Sequence, residues 1–360
     1  MAAPTGASNP QPPQAAPRDA RLKWLTFAQG DPRGARVLFP PPWPRYCTRK
    51  ARVTPRAEER HTTCQGQKVT DPGVGRDRLR AHVRALAGEI GERNVFRPRA
   101  LRDARDFIEH EWRAQGYRVT PQAYETHGLA CANLEVTRSG TDRPDEIVLV
   151  GAHYDSVFGS PGANDNGSGV AALLEMSRRF AEVEPGRTVR LVAFVNEEPP
   201  FSFTPHMGSE VYARAARARG EDIRLMLSLE TIGYYSEAPG SQRYPPLLNL
   251  FYPKCGNFIA FISNFRSRRL LRRVVDAFQA HSDFPVQFMA TLALIPGVSW
   301  SDHRAFWRQG YSALMATDTA FYRYPYYHSA LDTPEKLNYD ALGRLADGLF
   351  HAVAALADEE

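Results

Sequence analysis

The sequence predicts an α/β protein, a three-layer α/β/α arrangement around a mainly parallel but mixed central sheet. Three observations predict it. Short apolar runs at 146–152 and 187–195 are long enough for buried strands and too short for helices. Between them lie segments whose apolar residues recur three to four apart, the helical period. Strands and helices in alternation give a parallel sheet with helices on both faces.

Residues 1–75 are rich in proline, arginine and small polar residues, with only short apolar patches at 24–27 and 37–43, and read as an extension of low intrinsic order or docked on the main domain. The folded domain is expected over 76–360. Helical patterns over 78–90 and 99–115 should cover one face of a sheet. R-V-T-P-Q-A-Y-E and A-C-A-N-L-E-V-T-R alternate as half-buried strands, and E-I-V-L-V-G-A is a buried one. A helix over 167–180, a strand over 187–195, a helix over 206–217 and a strand over 224–229 come next. A proline-rich, aromatic stretch at 234–258 interrupts the alternation, and helices over 267–280 and 339–356 close the domain. No internal repeat is evident.

The totals exclude several functions. A chain of 360 residues with 43% hydrophobic content can bury a sizeable core. The net charge of +5 comes from arginines scattered along the chain, not from a basic stripe of the kind nucleic acid requires. No apolar window is long enough to span a membrane. Cys47, Cys64, Cys131 and Cys255 lie far apart, so neither a cysteine zinc site nor a disulfide scaffold is expected, and Cys255 reads as buried. The start, M-A-A-P-T-G-A-S, lacks a basic stretch followed by an apolar one. A cytoplasmic location is therefore expected, with export if the start is misassigned. Nothing in the sequence indicates an oligomeric state.

Three ionisable segments come directly after strand ends, where open α/β sheets collect ligands. The first strand ends in G-A-H-Y-D-S, which puts His153 and Asp155 on one side of an extended backbone. His153 is a candidate metal ligand, with Asp155 supporting its second ring nitrogen. P-G-A-N-D-N-G-S-G then carries Asp165 on a glycine-flanked turn, suited to bridging two cations. The second run ends in F-V-N-E-E-P-P; of Glu197 and Glu198, one can ligate a metal while the other takes a proton from water. The third ends in L-S-L-E, giving Glu230, and Y-Y-H-S-A-L-D-T-P-E-K-L supplies His328 from a loop.

G-A-H-Y-D-S, G-A-N-D-N-G-S-G, N-E-E and Y-H-S-A-L-D-T-P-E-K-L, in this order and spacing, resemble metallopeptidase family twenty-eight, the co-catalytic zinc aminopeptidases, over roughly 78–360. The resemblance implies a zinc-exopeptidase fold and two zinc ions per chain. Asp165 would bridge them, His153 and Glu230 completing one site, Glu198 and His328 the other. It further implies Glu197 as general base and acid, and Tyr327 as donor to the oxyanion. The substrate would be a peptide, cut at its N-terminal bond. Glu230 stands where many members carry aspartate. A single-zinc glutaminyl-cyclase-like acyltransferase and a metal-free binding module of the same fold are the alternatives. Among other polar residues, His206 is expected at a helix entry, Asp302 and His303 beside the substrate or supporting the site, and the aromatic run 322–327 in a pocket wall or in the core.

Overall fold

A computed structural model of the chain describes residues 72–246 and 248–359. The extension expected at 1–75 therefore lies outside the described residues up to 71, as do Cys47 and Cys64. Its last positions belong to helix α1 (Pro72–Val83), which runs on through a π-helical stretch, Arg84–Ile90. The remaining elements are α2 (Pro98–Ala114), β1 (Thr120–Thr126), β2 (Leu129–Arg138), β3 (Arg143–His153), α3 (Gly169–Phe180), β4 (Arg187–Phe194), α4 (Gly208–Ala218) and β5 (Asp222–Glu230). After a loop come β6 (Ile259–Asn264), α5 (Arg268–His281), β7 (Val286–Thr291), α6 (His303–Arg308), β8 (Ala313–Thr317) and α7 (Tyr339–Asp358).

The eight strands form one mixed sheet in the order β1-β2-β4-β3-β5-β8-β6-β7. Strands β4, β3, β5 and β8 are parallel, whereas β1 and β2 at one end and β6 against β8 at the other are antiparallel. Along β3, Val148, Val150 and Ala152 face the larger core under α1, α2, α3, α5 and α7, while Ile147 and Leu149 face the smaller one under α4 and α6. Burial on both faces is why these strands read as unbroken apolar runs. Helix α2 shows the complementary pattern: only Leu101, Ala104, Ile108 and Trp112, one stripe at helical spacing, are buried. The side chain of Asn338 caps α7 by accepting from the Ala341 amide at 3.0 Å. Among the described residues no helix is long and apolar enough to cross a membrane.

The sequence pattern does not announce β6 and β7. Strand β6 comes directly after the proline-rich stretch and precedes R-S-R-R, so it reads as the end of a loop. Strand β7 is an edge strand with half-exposed side chains. The reversal of β6 has a simple cause. A parallel strand needs a crossover to return to the starting edge, and residues 231–258 supply no such helix, so β6 enters from the edge where β5 left.

Arg93 ties this frame together. It is fully buried, yet it has no carboxylate partner; its guanidinium donates to the carbonyls of Tyr154 (2.7 Å), Leu86, Gly91, Pro161 and Gly162 (2.8 Å). Burial pulls its pKa down to about 10. Arg93→Met is expected to lower stability by roughly 3–5 kcal/mol, because several buried carbonyls lose their donor together. A shift under ~1 kcal/mol in urea unfolding would mean that water replaces it.

Candidate metal centre

Because β3, β4 and β5 are parallel neighbours, their carboxyl ends share one edge. His153 is the last residue of β3, Glu230 the last of β5, and Glu197 and Glu198 come soon after β4. Asp165 comes from the turn before α3. Gly162 opens that turn with φ +63°, and a side chain there would strike the Asp165 carbonyl oxygen. The flanking asparagines pin the turn to the end of β5. Asn166 donates to the Leu229 carbonyl (2.8 Å) and accepts from the Thr231 amide (3.1 Å), while Asn164 accepts from the Gly233 amide (2.7 Å). Asp332 accepts from the amides of Asn164 (2.8 Å) and Asp165 (3.1 Å), and Tyr324 donates to Asp332 at 2.7 Å.

His153 Nε2 lies 3.3 Å from Asp165 Oδ1 and 3.3 Å from Glu230 Oε2. His328 Nε2 lies 3.1 Å from Asp165 Oδ2 and 3.5 Å from Glu198 Oε1. The five residues thus make two donor groups, His153–Asp165–Glu230 and Asp165–Glu198–His328, with Asp165 common to both. Glu197 belongs to neither; its Oε2 is 3.9 Å from His153 Nε2. Tyr327 stacks on the His328 ring at 3.8 Å.

Asp155 faces the second ring nitrogen of His153: its main-chain carbonyl meets Nδ1 at 3.2 Å, and its carboxylate is 3.7 Å away. The carboxylate also accepts from the amides of Glu197 and Glu198, both at 3.1 Å, because the turn after β4 points those N–H groups at it. Asp155 therefore fixes both glutamates through their backbone.

The charges do not balance without a cation. Burial, reinforced by the Asp165 charge, pushes the Glu198 carboxyl up to about 7. Burial also drives Glu197 well above the usual carboxylate range and raises Glu230. Burial works against it, but Asp165 stays low because the facing His153 and His328 rings outweigh that burial. Burial opposes a charged His153, but Glu230 and Glu197 outweigh it and raise its pKa. His153 Nε2, Asp165 Oδ1 and Glu198 Oε1 are buried and lack hydrogen-bond partners. Unpaired donors of this kind fit a bound cation. Their separations match the edge of a zinc tetrahedron, about 3.3 Å for bonds of about 2.0–2.1 Å. Glu230, though longer than aspartate, reaches this geometry, held by the Ser301 hydroxyl at 2.8 Å.

Residues 133–353 match the profile of Peptidase family M28. The uncharacterized protein YfbL of Escherichia coli K12 is 37% identical over 282 residues, covering 76% of this chain and 86% of that protein. The chain belongs to Peptidase family M28. The match to the aminopeptidase YwaD of Bacillus subtilis is closer but short: 55% identity over 53 residues, 15% of this chain and 12% of that protein. Among solved structures, the zinc aminopeptidase BSAP of Bacillus subtilis superposes with TM-score 0.63 at 15% identity, covering 79% of this chain and 95% of that one. A Bacteroides thetaiotaomicron glutaminyl cyclase gives 0.58 at 17%, covering 78% and 97%. At such identities the superpositions speak for the fold.

Several parts of this M28 site escape a reading by motif. Ser301 and Asp332 touch it only through tertiary contacts, although Asp332 lies within L-D-T-P-E-K-L. Asp302 sits behind the centre with both carboxylate oxygens buried, and burial pushes it up to about 7. His303 begins α6, ahead of the buried strand β8; its Nε2 meets the Val298 carbonyl at 2.8 Å and its ring abuts Trp307, a packing arrangement. His206 is exposed, two residues ahead of α4, and Cys255 is half-buried with a free thiol. Of the aromatic run, Tyr324 is buried, while Tyr322 and Tyr327 line a cavity. Asp332→Ala removes the acceptor that fixes the Asp165 backbone. It is expected to weaken metal binding about 10–100-fold in a chelator competition; unchanged affinity would show that the asparagines suffice.

Proposed function

We propose that the chain is a zinc-dependent aminopeptidase holding two zinc ions, one in each donor group, with Asp165 serving both. The observation that carries this reading is the pair of donor groups with a shared aspartate and a further glutamate, Glu197, beside them. The curated relatives named aminopeptidases and zinc metalloproteases support zinc and peptide hydrolysis.

Bound zinc supplies Lewis-acid polarisation of a carbonyl and makes water acidic enough to attack near neutral pH. Glu197, free of ligand duty and fixed through its amide by Asp155, takes the proton from the attacking water and returns it to the leaving amine. Tyr327, beside His328, serves as the hydrogen-bond donor to the oxyanion of the tetrahedral intermediate. Burial, with the neighbouring Asp165 and Glu198 charges, raises its pKa, so the phenol keeps its proton. Among the described residues the cleft beside Glu230 is lined by no lysine or arginine that would receive a peptide's C-terminal carboxylate.

The test is zinc content per chain combined with hydrolysis of aminoacyl anilides before and after chelation. Near two zinc ions with chelator-sensitive release supports the proposal. One zinc ion without release would favour a cyclase or other acyl transfer, and no zinc after add-back would leave a binding module.

A further inference from the structure

Strands β6 and β7 extend the sheet past β8, and helix α5 covers only one of their faces. The other face is paved by two cross-strand rows, Thr317–Ala260–Gln287 and Met315–Ile262–Met289. Among the described residues no α-helix roofs it; loops and two short 3-10 turns do, and Tyr244, Tyr252, Phe258, Trp300, Phe321 and Tyr327 line the space between. That cavity holds ≈ 100 Å³ of free space, room for a single side chain and more than a packing defect.

Glu230 and Tyr327 belong to the lining of the cavity. An aromatic wall runs on from Tyr327, to Phe321 at 5.9 Å and from Phe321 to Trp300 at 5.4 Å between ring centres. Glu230 is the only carboxylate in the lining, and neither lysine nor arginine is present. Ile262 and Met289, apolar residues of a sheet face, are left half-exposed to this space.

In the aminopeptidase reading Tyr327 would face the carbonyl of the bond to be cut, and the side chain of that same residue branches from the next carbon of its backbone. We infer that this cavity receives the first side chain of the peptide and selects phenylalanine, tyrosine or tryptophan over small or charged residues. The inference rests on the aminopeptidase reading above. Rings fill the space, meet the walls edge to face and cover Ile262 and Met289. The methionine floor adapts to their outline. A lysine or glutamate side chain would lose its water here without gaining a partner.

The experiment compares kcat/KM of the zinc-loaded full chain on phenylalanyl, tyrosyl, leucyl, alanyl, lysyl and glutamyl anilides. The aromatic substrates are expected to exceed leucyl about threefold or more and to exceed alanyl, lysyl and glutamyl about a hundredfold. Ile262→Trp, and Met289→Trp as a second filling variant, should lower the phenylalanyl-to-alanyl ratio about tenfold or more at unchanged zinc content. Alanyl, lysyl or glutamyl substrates cleaved best, or a ratio unmoved in both variants, would overturn the pocket assignment and leave the aminopeptidase reading standing. Absence of turnover on every anilide would overturn both.

Discussion

Glu197→Gln is expected to keep its zinc and to lose about 10³–10⁴-fold in kcat. Glutamine preserves the shape of the side chain and can still hydrogen-bond a water molecule, but it cannot accept the proton. General-base assistance is worth about 10²–10⁴ in rate, and here the same group must also return the proton, which sets the effect at the upper end. Zinc should be unaffected because Glu197 lies outside both donor groups. The two readouts separate the roles: a variant that turns over normally assigns the base elsewhere, and one that loses zinc makes Glu197 a ligand.

The strand-end acids were legible because a buried parallel strand leaves little room for interpretation. Val148 to Ala152 and Leu225 to Leu229 are apolar on both faces, so the first ionisable residue after each run must lie at the edge of the sheet. Local pattern also exposed the turn carrying Asp165, whose glycines and asparagines serve contacts within one region. Neighbours distant in sequence were not legible. Asp332 reaches the amides of Asn164 and Asp165 only after α7 and the sheet have assembled, and Ser301 reaches Glu230 only because the 292–302 segment crosses the sheet face. The second task of Asp155 was not legible for a related reason: spacing fixes which side the carboxylate leaves from, but not that two amides also reach it.

Asp165→Ala should empty both sites. Each group has three protein donors and would keep two, His153 with Glu230 and Glu198 with His328. Tightly held zinc is worth ~10–16 kcal/mol over four donors. One donor is then worth roughly 3 kcal/mol, or about a hundredfold in affinity, and the variant loses it twice. After gel filtration in metal-free buffer, zinc content is expected to fall from near two per chain to well below one. Two retained equivalents would refute the bridge. Asp165→Asn, which keeps one carbonyl oxygen, should fall between the two.

The donors are drawn from points between residue 153 and residue 328, and between them lie most of the sheet, α3, α4, α5 and α6. Each ion, held by three of these donors, would act as a cross-link closing long loops, and an unfolded chain gathers such donors poorly. Free zinc concentration then becomes a variable of folding as well as of catalysis. At a thousand times the dissociation constant it would add about 4 kcal/mol to the native state. On the proposed reading, a zinc-poor cell would hold a less stable molecule as well as a less active one.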